Sequence, residues 1–204
     1  MKTAIIFDCE FLCLIDSPRR MWNGPQDPDP IIAQVGAVKL GLEDDFPLIE
    51  NYRAHVLPLD RHGKRYALDA FFTELTGITE DTIAAEGRPL QEALDGLDQF
   101  SDGAGFWSWG KDELNMLGIS CFVAGIVPPI RASRFNNVVK LVLAAGMPEE
   151  DLKKTKSSTL ADYYGVQHPP LQGHDGLDDA LSIAYALQHL LQTGKLMPEA
   201  FDRG

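Results

Sequence analysis

Ala4-Ile5-Ile6-Phe7-Asp8-Cys9-Glu10 is a run of four apolar residues leading into two acids separated by one residue. The apolar run reads as a short buried strand that ends at Asp8. In an extended chain, side chains at i and i+2 project to the same side, so Asp8 and Glu10 aim at one point just outside a buried sheet. Two like charges held there repel, and call for a cation or a raised pKa. Asp27/Asp29, Glu43/Asp45 and Glu149/Asp151 repeat the acid-x-acid spacing, but in polar, turn-like contexts where solvation accounts for them.

Residues 13–30 contain Pro18, Pro25, Pro28 and Pro30 among Asp, Asn and Gly, and predict a long loop. Residues 31–40 (IIAQVGAVKL) predict a second strand. Residues 51–57 alternate in polarity and pair with it as a hairpin, with Glu43-Asp44-Asp45 near the turn. Helices are expected over 68–75 and 90–100, a strand over 104–109, and a helix from Asp112. Further helices are expected over 136–145, 160–164 and 175–191, the last with Leu177, Ala180, Leu181, Ala184, Leu187 and Leu191 on one face. Early strands followed by alternating helices and strands indicate an α/β domain with a mixed sheet, and no linker divides residues 1–204.

The 204 residues are 45% hydrophobic and 24% charged, an ordinary globular balance, with a formal charge of −12. That charge excludes a broadly basic module holding phosphates by counterion release, but not an enzyme whose carboxylates hold divalent metals. Binding of any polyanion away from bound metal ions is expected to be weak and salt-sensitive. Residues 131–156 hold the main basic cluster (Arg131, Arg134, Lys140, Lys153, Lys154, Lys156) against Glu149, Glu150 and Asp151. Arg19, Arg20 and Trp22 are close enough in sequence to Glu10 to clamp a strand, and Trp107 and Trp109 share a strand face, where core packing is their simplest role. Cys9, Cys13 and Cys121 provide neither a disulfide framework nor a four-donor zinc site. The N-terminal apolar run meets Asp8 too soon for a secretory leader, and the uncharged stretch 116–130 contains Pro128-Pro129. The expectation is a cytoplasmic protein without a membrane span.

Gly173-His174-Asp175-Gly176-Leu177-Asp178-Asp179-Ala180 opens the last helix. Asp175 and Asp178 fit as first-turn acids complementing the helix dipole. Asp179 borders the apolar face, where an acid needs a partner. Asp112 opens the helix after the 104–109 strand; it and Glu113 both fit as helix N-terminal acids.

Strand-D-x-E, an Asp at a strand-to-helix junction about 100 residues on, and H-x4-D opening a C-terminal helix together resemble the DEDDh 3′–5′ exonuclease family. The likeness spans nearly the whole chain. Residues 31–38 look like the family's second strand. Leu75-Thr76-Gly77-Ile78-Thr79 resembles a segment between its first two motifs, most like the Eri-type RNA exonucleases and the KapD-type sporulation-inhibitor proteins.

The resemblance implies a ribonuclease H-like mixed five-stranded sheet flanked by helices. It also implies two Mg²⁺ or Mn²⁺ ions held by Asp8, Glu10, Asp112 and Asp179, with His174 as general base. Asp8 would bridge the ions, Glu10 and Asp179 would serve the nucleophile-side ion, and Asp112 the other. Phe11 and Leu12 stand where the family commonly has a Thr; with Leu75 and Ile78 they are the expected substrate contacts. The implied reaction is hydrolysis at the 3′ end of RNA or short single-stranded nucleic acid, releasing nucleoside 5′-monophosphates. DNA as substrate, or a non-catalytic module on the same fold, are the alternatives. Oligomeric state is not legible.

Overall fold

The central strand, β1 (Thr3–Phe11), is buried from Ala4 to Glu10 and continues past Asp8 through the D-x-E acids. The computed structural model describes residues 1–202. β1 pairs antiparallel with β2 (Ile32–Gly41), and β2 pairs antiparallel with β3 (Leu48–His55), the expected hairpin. On its other side β1 pairs parallel with β4 (Gly105–Ser108), and β4 with β5 (Phe135–Asn137), giving the order β3-β2-β1-β4-β5.

The helices are α1 (Ala70–Thr76), α2 (Glu80–Glu86), α3 (Leu90–Ser101), α4 (Asp112–Ala124), α5 (Val138–Ala144), α6 (Glu149–Leu152), α7 (Leu160–Tyr163) and α8 (Gly176–Gln192). Three differ from expectation. The predicted 136–145 helix begins later, because Phe135–Asn137 completes the sheet and the Asn137 side chain caps α5 by accepting the Val139 N–H at 2.9 Å. α2 and α6 were not predicted; both are short, and α2 is capped by Thr79.

The period-2 alternation of β1 divides the core. Ile5, Phe7 and Cys9 pack with α3 and α4, while Ala4 and Ile6 face α5, α7 and α8. Asp8 and Glu10 continue the second row, toward α8. The first face is knit by Phe7, Phe106 and Phe135, with ring centroids 5.1–5.7 Å apart. Trp107 and Trp109 belong to the opposite core, where Trp107 meets the Phe201 ring edge-on at 5.1 Å, so neither is a base platform. Arg134, in the basic cluster, is likewise structural: its guanidinium lies over the Phe106 ring and bonds Asp98 at 2.5 Å.

Gly36 of β2, opposite Asp8, lets the start of α8 lie directly on the sheet. A Cβ there would run into the backbone of Gly176 and Leu177. This close approach brings the first turn of α8 level with the D-x-E acids. No helix among the described residues is long and apolar enough to cross a membrane.

Candidate active site

β1 and β4 are parallel, so the chain leaves both at the same edge of the sheet, where functional groups gather in open α/β sheets. Asp8 and Glu10 stand at that end of β1, Glu113 in the first turn of α4 after β4, Asp179 in the first turn of α8, and His174 in the turn before it. These five line one cavity of about 200 Å³ with Phe11, Leu75, Pro18, Trp22 and the segment Lys156–Ser158. One oxygen of Glu10, one of Asp179 and a ring nitrogen of His174 all lie within 4.8 Å of one another.

Asp112 is not among the lining residues, which corrects the expected ligand set: Glu113 stands in the cavity where Asp112 was expected. The reason is helical phase. The buried face of α4 is Glu113, Met116, Leu117, Ser120 and Cys121, the i, i+3, i+4, i+7, i+8 pattern, and Asp112 lies about 100° around the helix. The same pattern was open to inspection in the sequence. Leu12 and Ile78 are corrected too. Both are buried with Ile31, Phe72 and Ile83 in a small core beneath the site, whereas Phe11 and Leu75 reach the cavity. The β1–β2 register shifts between Glu10 and Phe11, a bulge of the kind that re-aims a side chain.

The turn that carries His174 is held from three sides. Asp175 caps α8, accepting the Leu177 and Asp178 N–H groups at 3.1 Å each, and pairs with Arg53 at 2.5 Å. Gln34, buried in β2, accepts the Gly176 N–H at 2.6 Å and donates to Asp175 at 3.2 Å. Behind Gln34, His55 lies 3.1 Å away and is itself 2.8 Å from a Glu86 oxygen. Asp175 thus fills the capping role expected of it. His174 sits at φ 62°, a left-handed conformation uncommon for a residue with a side chain, sustained by this frame. Gln34 and Ser157 had escaped the sequence reading, and Lys156 had entered it only as one member of the basic cluster; the Ser157 hydroxyl donates to Asp179 at 3.1 Å.

Burial, followed by the mutual repulsion of the acids, pushes Asp8 well above the usual carboxylate range, Glu10 up to about 8 and Asp179 up to about 7. Burial raises Glu113 as well, although its hydrogen bonds with Asp8 and Ser108 oppose the rise. His174 shifts the other way, lowered by burial and by Lys156, which keeps its imidazole neutral. One oxygen of Glu113 and one of Asp179 are buried with no hydrogen-bond partner among the described residues, at a cost of about 1–3 kcal/mol each. Buried, crowded, under-bonded carboxylate oxygens are the donor set of hard divalent cations such as Mg²⁺ or Mn²⁺, and the site fits them. Cys9 and Cys13 also border the cavity, but burial holds the thiols protonated: Cys9 is pushed well above the usual thiol range, and Cys13 and Cys121 to about 11.

A pH dependence follows. The folded protein holds protons on Glu10, Asp179, Asp8 and Glu113 more tightly than the unfolded chain does. Without metal, their contribution to stability is therefore full below about pH 4 and is lost as pH rises toward about 8. Melting in EDTA should drop by several degrees between pH 5 and pH 8, at roughly 2–4 °C per kcal/mol. Mg²⁺ should restore the loss at pH 8 and do little at pH 5, where protons compete with it. A melting temperature in EDTA that is flat or rising over that range would contradict this reading, and Glu10→Gln should flatten the slope in part.

No family model and no curated protein sequence matches the chain. Solved structures do match in fold. The nuclease domain of 3′hExo, a DEDDh family member bound to rAMP, superposes with a TM-score of 0.76 at 21% identity, over 96% of this chain and 94% of that one. Cell-death related nuclease 4 (CRN-4) gives 0.71 at 19% identity, over 97% and 66%. E. coli exonuclease I in complex with a dA16 oligonucleotide gives 0.61 at 16%, over 99% of this chain and 42% of that one. The fold is thus the ribonuclease H-like mixed sheet shared by these nucleases.

Proposed function

We propose that this chain is a metal-dependent 3′–5′ exonuclease of the DEDDh type, with Glu113 taking the third acidic position. The observation that carries the reading is the meeting of Asp8, Glu10, Glu113, Asp179 and His174 in one cavity, with two buried carboxylate oxygens left unpaired. Asp8, Glu10, Glu113 and Asp179 would hold a pair of divalent cations. Such a pair supplies an activated water, charge neutralisation at phosphorus and stabilisation of the departing oxygen.

The chain's own residues supply the rest. Ser157 fixes one oxygen of Asp179 and leaves the other free toward the cavity. His174, kept neutral and locked by the Asp175–Gln34 frame, takes the proton of the attacking water. Lys156 puts one positive charge on a wall otherwise dominated by acids, suited to a phosphate oxygen of the incoming strand. Phe11 and Leu75 offer apolar surface to the terminal base. Hydrolysis of the last phosphodiester then releases a nucleoside 5′-monophosphate.

RNA or short single-stranded ends are the proposed substrates. Support comes from structures of the same fold, described as bound to rAMP or as recognising the 3′ end of a histone mRNA stem-loop. A non-catalytic module would carry the desolvation and repulsion of four buried acids without use for them.

The test is a 5′-labelled RNA oligomer incubated with the protein and Mg²⁺ or Mn²⁺, beside a DNA oligomer of the same sequence. Shortening from the 3′ end with release of nucleoside 5′-monophosphates, abolished by EDTA and by Asp8→Asn, is expected. Equal activity in Asp8→Asn would contradict the assignment, and faster loss of the DNA would overturn the preference for RNA.

A further inference from the structure

The 13–30 loop is a built clasp rather than a slack connection. Its hub is Asp27, whose side chain is only 1% exposed. That carboxylate accepts from the Ser17 hydroxyl at 2.9 Å, the Gly24 N–H at 2.8 Å, and Arg20 at 2.6 and 3.1 Å. Arg20 also reaches the Ile15 carbonyl at 2.9 Å, and Ser17 accepts the Leu14 N–H at 2.8 Å. A short 3₁₀ turn, Ser17–Arg20, runs through the middle.

Inside this ring of bonds the backbone is strained. Asp16, Met21 and Trp22 have φ of 61°, 53° and 51°, and for a residue as bulky as Trp that is an outlier, sustained only where the surroundings over-determine it. The strain places the Trp22 indole against Phe11, ring centroids 5.4 Å apart at 72°, in the wall of the cavity that holds the acids. The core does not need it there, since Trp22 belongs to none of the buried clusters and its neighbour Met21 is 75% exposed.

Charge shows what such a wall is for. The chain carries −12, and Lys156 is the one cation lining the cavity among the described residues. Affinity for a polyanion therefore has little to draw on except the site cations and contacts that ignore charge, and stacking on an aromatic face is the strongest of those.

We propose that Trp22 is a specificity-determining residue. Its indole, clamped by the Asp27 clasp, stacks with the 3′-terminal base and admits that base only when it is unpaired. This rests on the exonuclease reading and narrows its substrate class to 3′ ends with a free terminal nucleotide. A base entering between the Trp22–Phe11 wall and Leu75 has left its helical stack, so a blunt duplex must fray before it is cut.

The experiment pairs a turnover assay with a binding assay. Binding of AMP in Mg²⁺ is measured by calorimetry, and kcat and KM are measured on a single-stranded RNA oligomer and on a blunt hairpin. Trp22→Ala should weaken AMP and raise KM for the single strand by roughly 5- to 150-fold, the worth of one stacked base, with kcat largely kept. Its preference for the single strand over the blunt hairpin should shrink, Trp22→Phe should keep most of both, and Arg20→Gln, which loosens the clasp, should move in the direction of Trp22→Ala. A merely structural Trp22 would instead lower the melting temperature and kcat without changing the preference.

Unchanged AMP affinity and unchanged preference in Trp22→Ala, with wild-type turnover present, would overturn the base wall and leave the nuclease reading intact. No wild-type turnover, with AMP affinity that still falls in Trp22→Ala, would overturn the nuclease reading and leave the base wall standing.

Discussion

Replacing Glu113 by Gln should lower turnover by about 10³-fold, while Asp112→Asn stays close to wild type. The difference between these adjacent acids is one of placement. Glu113 is 7% exposed and lines the cavity beside Asp8, whereas Asp112 is not among the lining residues. An acid that holds a catalytic cation contributes several kcal/mol to stabilising the transition state, which at about 1.4 kcal/mol per tenfold is a loss of this size. Folding should move the other way. Gln at 113 removes a buried charge crowded against Asp8, so the metal-free variant should melt no lower than wild type, and Mg²⁺ should stabilise it less. Kinetics and melting curves on both variants check the prediction. An inactive Asp112→Asn beside an active Glu113→Gln would return the third position to Asp112 and remove the phase argument.

His174→Asn should cost about 10²–10⁴ in kcat, the usual contribution of a general base, while leaving the four carboxylates free to bind metal. Burial and Lys156 lower the His174 pKa, so the imidazole is neutral and able to accept a proton through neutral pH. Its left-handed backbone is held by Asp175 and Gln34, and Asn is among the residues that tolerate that conformation. The substitution therefore removes the base with little disturbance of the turn. Mn²⁺ binding by calorimetry should remain near wild type while single-turnover cleavage collapses. Full activity in His174→Asn would refute the base, and loss of both metal and activity would make His174 a ligand instead, a role its nearness to Glu10 and Asp179 allows geometrically.

Much of this architecture was readable from period and punctuation. β1 and β2 carry long apolar runs, the β2–β3 hairpin alternates, and α8 has a strong apolar stripe, so all four were found. β5 escaped because three half-buried residues running straight into a capped helix leave no period to detect. Asp8 and Glu10 were legible because the strand period alone puts them on one side. Asp179 was legible because an acid on an apolar border demands a partner. Glu113 went unrecognised: two neighbouring acids at a helix start look alike until the apolar face of α4 is traced, and then only one is in phase.

Leu12 and Ile78 were misplaced for a related reason. A short apolar residue next to a motif serves the core beneath the site as readily as the site itself, and only three-dimensional packing separates the two. The clasp around Asp27 lay beyond any periodic reading, since it is built from side-chain bonds, to other side chains and to the backbone, across a loop that composition describes only as irregular.

The most direct measurement is a crystal of the protein soaked with Mn²⁺ and a nucleoside 5′-monophosphate, with the ions located by their anomalous signal. Two peaks roughly 3.5–4 Å apart are expected, liganded by Asp8, Glu10, Glu113 and Asp179, with the phosphate beside them. No ion within reach of Asp8, or an ion centre built on Asp112 with Glu113 unliganded, would contradict this site assignment.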